Sequence, residues 1–259
     1  MLPAVAISLF GGLLAPTFAA PAATLHAVAI FFALYAAHVT DGYVDFYLRG
    51  EDDDHPLTAR GCRVGLAAAT VGFVGCLLAL WAVVGVGAVL VTLPGWLIAY
   101  HHAPTLDMHP LTATLGYPAG IAIALLGGYY VQTSAFTPPV LAYATIFFVT
   151  LAGVKVIDDA TDVDYDRSIE KRTVAVIVGR YRAKHVGYGT MAIGMGATVV
   201  SALSITGVPL SATIAPFVFG VVALLASTAT PKIATMLLIR GVYLFLATLL
   251  AAIWLQPLQ

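Results

Sequence analysis

The sequence predicts an all-α integral membrane protein of nine transmembrane helices. Three observations predict it: an oily composition, nine apolar runs of roughly spanning length, and charge confined to alternate connections. Of 259 residues, 60% are hydrophobic and 10% charged. A soluble domain carries about 25% charged residues, so this chain cannot cover a water-facing surface. Its net charge of −1 gives no field to attract nucleic acid. A sheet fits poorly, because a span in lipid must satisfy its own backbone hydrogen bonds.

A bilayer core takes about 20 apolar residues per helix. Runs bounded by Pro, Gly or charge fall at 2–20, 24–44, 62–80, 82–100, 111–131, 138–158, 185–206, 210–229 and 233–255. The first resembles a secretory leader in its apolar stretch and in the small residues of 19–23. No basic residue precedes Arg49, so it reads as a membrane helix. Only Leu80–Trp81 divides the third run from the fourth. Pro94 and Pro216 are expected to kink their helices, and Gly85, Gly87, Gly194 and Gly196 to allow close helix packing. Cys62 and Cys76 lie in or beside one apolar stretch, which is neither a disulfide framework nor a metal-ligand spacing. Residues 1–259 therefore read as one membrane domain.

The charges follow the same map. All 12 basic residues lie in or beside the connections after spans two, six and eight, and all 13 acids after spans two, four and six. With nine spans these connections share one side of the membrane with the N-terminus. The opposite connections are short and uncharged. The positive-inside rule makes the charged side cytoplasmic, and eight or ten spans would scatter the charges over both faces.

Two acidic clusters stand out. Asp41 and Asp45, four apart at the end of span two, share a helix face and precede Arg49 and the run Glu51-Asp52-Asp53-Asp54. At the end of span six, Asp158, Asp162 and Asp166 repeat every four residues, with Asp159 beside them. Like charges at a low-dielectric boundary destabilise the fold unless a cation neutralises them. Oxygen ligands without Cys or His select a hard ion. Mg²⁺ favours one or two carboxylates together with substrate phosphates, so two such clusters could hold a diphosphate between metal ions. Arg49, Arg60, Lys171 and Arg172 could neutralise the remaining phosphate charge. Lys155, one turn before Asp158, could form a salt bridge or meet the diphosphate. Departure of an allylic diphosphate leaves a carbocation that aromatic faces stabilise. Tyr43, Phe46, Tyr47, Tyr100, Tyr117, Tyr129 and Tyr130 are candidates, though an interfacial aromatic belt also accounts for tyrosines. His101, His102, Asp107 and His109 share the loop after span four. Adjacent histidines rarely chelate one ion, so a cap over the substrate suits this group better than zinc.

Taken together, these residues resemble the UbiA superfamily of intramembrane prenyltransferases. Its hallmarks are Asn-Asp-x-x-Asp after the second helix and Asp-x-x-x-Asp-x-x-x-Asp after the sixth. Asp158, Asp162 and Asp166 match the second, continuing into Lys171-Arg172-Thr173 and Gly179-Arg180 as the family's tail does. The segment from Gly128 to Thr133 is similar to one in the 1,4-dihydroxy-2-naphthoate polyprenyltransferases of menaquinone synthesis. The loop from Tyr100 to Pro104 sits where the family has a Tyr-Ser-x-Pro type of loop. The first motif departs: Asp41 stands for Asn, Gly42 for the first Asp, and Asp45 alone carries over cleanly.

The resemblance implies nine helices around a central cavity, capped by the two motif loops, with an isoprenoid tail in a channel open to lipid. It implies Mg²⁺ on Asp41, Asp45, Asp52, Asp158, Asp159, Asp162 and Asp166. Arg49, Arg60, Lys155, Lys171 and Arg172 would meet the diphosphate, and Asp45, Asp162, Lys171 and Tyr130 form the catalytic group. The expected partners are a polyprenyl diphosphate, an aromatic or other lipophilic acceptor, and membrane lipid. The expected setting is a multi-pass protein of the cell membrane in quinone or lipid biosynthesis, acting on the cytoplasmic side. Two other readings compete. A divalent-cation transporter would use the acids as its site, but transporters carry polar groups near the midplane, and spans one, three, seven and eight have no ionisable residue there. A terpene cyclase on the same scaffold would release diphosphate without joining an acceptor.

Overall fold

The computed structural model describes residues 2–255. These residues are helical with no strand, and seven helices are long and apolar enough to cross a membrane. Two further apolar helices are shorter. The chain divides into two compact units, one ending at Phe136 and the other beginning at Thr137.

The first unit contains α1 (Leu2–Leu13), α2 (Ala20–Tyr43), α3 (Ala59–Val83), α4 (Val86–Tyr100) and α5 (Pro110–Thr133). A π-helical turn, Val44–Arg49, extends α2, and a 3-10 turn, Leu106–Met108, precedes α5. Local chemistry sets the starts. Pro21 falls in the first turn of α2, where a missing N–H goes unneeded. The Thr58 hydroxyl accepts from the Gly61 amide, 3.1 Å away, to cap α3. α2 packs on α3, and its buried Ala29, Ala33 and Ala36 lie in one core with Phe73 of α3 and Trp96 of α4. The last two rings stack at 4.6 Å. α1 packs on α5 backbone to backbone. A Cβ on Gly11 would collide with the Leu125 carbonyl oxygen, and one on Gly128 with that of Ser8.

The second unit contains α6 (Pro138–Asp159), α7 (Val163–Ser168), α8 (Val174–Val178), α9 (Arg180–Ser204), α10 (Ile214–Ser227) and α11 (Pro231–Leu255). α6 and α9 pack through glycines. A Cβ on Gly153 would come 2.6 Å from the Gly187 oxygen, and one on Gly187 would come 2.7 Å from Ile157 Cδ1. Phe245 of α11 meets Phe219 of α10 and, edge-on at 5.5 Å, Phe147 of α6. Outward positions such as Val71, Leu78, Leu203, Phe217 and Leu224 are large, apolar and exposed, as a lipid-facing surface requires.

Several expectations change. Among the described residues the first and fourth runs form helices of 12 and 15 residues, and the fourth, about 23 Å long, falls short of a full hydrocarbon core. The break between α3 and α4 lies at Val84–Gly85 rather than at Leu80–Trp81. Gly85 takes φ +120°, a conformation open to glycine, whereas Trp81 has no reason to end a helix. Of the packing glycines, Gly87 lies under the Tyr130 ring and Gly194 against Thr150, but nothing lies within 4 Å of a Cβ on Gly85 or Gly196. Pro94 is inside its helix, whereas Pro216 sits in the first turn of α10. Pro118, inside α5, joins Pro94.

Candidate metal and diphosphate site

Each unit carries one acidic cluster, and each cluster holds a basic side chain between two of its carboxylates. In the first unit, Asp45 and Arg49 occupy the π-helical turn, which ends at Gly50 in the left-handed conformation (φ +62°). Arg49 Nη1 donates to Asp45 Oδ1 at 3.1 Å and lies 2.7 Å from Asp107 Oδ2. Its Nη2 lies 3.4 Å from Met108 Sδ. Asp107 comes from the 3-10 turn before α5, its amide bonded to the His102 carbonyl at 2.9 Å. Its carboxylate is 5% exposed, and Oδ1 is buried with no hydrogen-bond partner. Asp107 was thus legible as part of a loop cluster but not as the partner of Arg49.

The departure at Gly42 has a physical counterpart. A Cβ there would come 2.7 Å from His55 Nε2, so the imidazole packs over the bare backbone. His55 bonds through Nδ1 to the Leu57 carbonyl at 2.8 Å and lies against Phe46 and Tyr47. Tyr43, Phe46, Tyr47 and His55 form an aromatic cluster on the turn that carries Asp45. Asp41 is half-buried, and Glu51 to Asp54 and Arg60 are exposed.

In the second unit the four-residue stripe does not run along one helix. α6 ends at Asp159, the chain turns at Ala160–Thr161, and Asp162 immediately precedes α7. Arg180 holds this turn. Its Nε donates to the Ala160 carbonyl at 3.0 Å, one of the carbonyls a helix end leaves unsatisfied, and its Nη2 to Asp164 Oδ2 at 3.2 Å. Lys155 Nζ lies 2.6 Å from Asp159 Oδ1 and 3.0 Å from Asp158 Oδ2. Asp159 is buried, and its Oδ2 has no hydrogen-bond partner. Asp166 is buried too. Lys171 Nζ lies 3.4 Å from its Oδ1, and the Thr173 hydroxyl donates to its Oδ2 at 3.4 Å. Thr173 also caps α8, accepting from the Val176 amide, which accounts for Lys-Arg-Thr as a unit. Burial pushes the Asp166 carboxyl above its ordinary pKa, with Lys171 opposing. Asp162 and Arg172 are exposed.

The structure thus joins Asp45 with Arg49, Lys155 with Asp158 and Asp159, and Asp166 with Lys171. Tyr130 stands apart. It lies 20 residues into α5 from Pro110, about 30 Å along the helix, against Gly87 and Phe136. It is therefore far from the end that carries Asp107, Arg49 and Asp45. His109 caps α5, accepting from the Leu111 amide at 3.4 Å. Among the described residues no three His, Cys, Asp or Glu side chains converge as a ready metal cage. The donors are nonetheless all carboxylates, and Asp159 Oδ2 is a buried carboxylate oxygen whose lone pairs no hydrogen bond uses. That donor chemistry fits a hard divalent ion such as Mg²⁺.

No protein-family model and no curated protein matches the sequence. Solved structures match the fold. A UbiA homolog from Aeropyrum pernix K1 superposes with a TM-score of 0.74 over 96% of this chain and 94% of its own, at 18% identity. A UbiA homolog from Archaeoglobus fulgidus bound to GPP and Mg²⁺ gives a TM-score of 0.68 over 97% and 95%, at 15% identity. A UbiA homolog from Archaeoglobus fulgidus bound to Cd²⁺ gives 0.67 over 97% and 94%, at 16% identity. The chain has the fold of the UbiA homologs. At these identities the likeness concerns the fold, and the chemistry rests on the residues above.

Proposed function

We propose that this chain is a Mg²⁺-dependent intramembrane prenyltransferase. It moves a prenyl group from an allylic polyprenyl diphosphate to an aromatic or other lipophilic acceptor, both units acting as one domain of a multi-pass cell-membrane protein with its charged loops cytoplasmic. One observation carries the reading. A chain with the fold of the UbiA homologs concentrates its acids at the ends of α2 and α6 and leaves a buried carboxylate oxygen open in the second cluster. A UbiA homolog of that fold is bound to GPP and Mg²⁺, which supports the same ligand class here.

Asp45 in the first unit and Asp158, Asp159, Asp162 and Asp166 in the second are the residues to hold Mg²⁺, with Asp41 and Asp52 flanking. Bound there, Mg²⁺ stabilises the negative charge of the departing diphosphate. Lys171 and the exposed Arg172 neutralise phosphate oxygens. Tyr43, Phe46 and Tyr47 offer ring faces to an allylic cation near Asp45. The apolar helices take the hydrocarbon tail and keep water from that cation.

Purified protein supplied with Mg²⁺, several polyprenyl diphosphates and a panel of acceptors tests this by product mass. An acceptor heavier by one prenyl group is expected. A hydrocarbon released without acceptor would make the chain a cyclase instead. Divalent-cation flux into proteoliposomes without any product would replace the reading with a transporter.

A further inference from the structure

Resting on the prenyltransferase reading, we infer that Lys155 is a resident counter-ion which a divalent cation must displace, and that the displaced ammonium then serves the diphosphate. The same Nζ sits 2.6 Å from Asp159 and 3.0 Å from Asp158, where a cation bound by those two carboxylates would act. An ammonium and a divalent ion cannot both take the same carboxylate lone pairs. Asp159 Oδ2, buried and without a hydrogen-bond partner, shows that a lysine alone leaves the pair incompletely used. One ammonium on two carboxylates also leaves a net negative charge in a half-buried place, which a divalent ion in its stead would neutralise.

The first unit repeats the arrangement with different parts. Arg49 Nη1 serves Asp45 at 3.1 Å and Asp107 at 2.7 Å, and Asp107 Oδ1 is again buried and unpartnered. Two units thus hold a basic side chain between two acids with one buried carboxylate oxygen left without a partner.

The consequence is a coupling between ligands. Metal alone competes with Lys155. Metal with a diphosphate gives the lysine a new anionic partner, so each ligand raises the affinity for the other. Access to the metal site is thereby tied to substrate.

The test uses the full-length protein in detergent and reads binding rather than turnover. Mn²⁺ alone is titrated by the EPR signal of the free ion, and labelled GPP is titrated at saturating Mn²⁺ without acceptor. Lys155→Gln should bind Mn²⁺ alone roughly tenfold more tightly, because a competing positive charge is gone. It should bind GPP at saturating Mn²⁺ roughly tenfold more weakly, because a charge-assisted contact is lost. Lys155→Arg should restore both values toward wild type, and an unchanged melting temperature in Lys155→Arg keeps the comparison valid if Lys155→Gln unfolds. Arg49→Gln should shift Mn²⁺ binding in the same direction. A purely structural lysine would weaken both ligands together or leave Mn²⁺ unchanged, and either result overturns the inference while the prenyltransferase reading stands. Failure of the wild type to bind Mn²⁺ even with GPP present would overturn both.

Discussion

In the first unit, one arginine is gripped by acids from two different elements, Asp45 on the π-helical turn and Asp107 on the 3-10 turn before α5. In the second, one lysine is gripped by two neighbouring acids on its own helix end, Asp158 and Asp159. The second arrangement is local, set by i,i+3 and i,i+4 spacing on α6. The first is tertiary, and exists only when the loop from His101 to His109 is folded against the end of α2. The same electrostatic need, neutralising acids at the edge of an apolar bundle, is met by helix periodicity in one unit and by loop packing in the other. Changes at these pairs should therefore read out differently: in the second unit as altered ligand binding alone, in the first as altered ligand binding together with lost stability.

The largest effect belongs to the metal and its ligands. Chelation of Mg²⁺ should abolish turnover and its return should restore it, and Asp45→Ala should lower kcat by roughly 10²–10³-fold, as loss of a charge-stabilising group at a reacting centre does. Next comes the contrast itself. Asp107→Asn removes the charge holding Arg49 in a nearly buried position and should destabilise the first unit by about 1–3 kcal/mol. This is measurable by thermal unfolding in detergent, and an unshifted transition would show that the loop does not depend on the pair. Gly153→Ala should cost about 1–3 kcal/mol by overpacking the α6–α9 seam, while Gly196→Ala, with open space around it, should be neutral or slightly stabilising. The smallest effect is Asp164→Asn. Its partner Arg180 is half exposed and Asp164 is 80% exposed, so the change should stay within about 1 kcal/mol.

The fold was legible because lipid restricts spans to apolar helices, and apolar runs read directly as such. The helix breaks were less so. Gly85 ends α3 through a backbone conformation rather than through polarity, so a hydropathy pattern alone puts the boundary too early. The turn at Ala160–Thr161 was hidden by the four-residue repeat, which suits a continuous helix; what interrupts the helix is tertiary, the Arg180 guanidinium reaching back 20 residues to the Ala160 carbonyl. At the site, Lys155 and its acids were readable because they are neighbours on one helix. Asp107 and His55 were not, since their partners, Arg49 and the bare backbone of Gly42, are brought to them by packing. Tyr130 shows the converse: a motif-like neighbourhood in sequence sits some 20 residues along α5 from the end that faces Asp45.

Asp162 gives the most direct test. It is exposed at the start of α7, with no side-chain cap bond to lose, so its removal should change stability by no more than about 0.5 kcal/mol. Prenyl transfer by purified Asp162→Ala should fall to background while its melting temperature stays at the wild-type value. Wild-type turnover in that well-folded variant would contradict the assignment of the second acidic cluster to the metal and diphosphate.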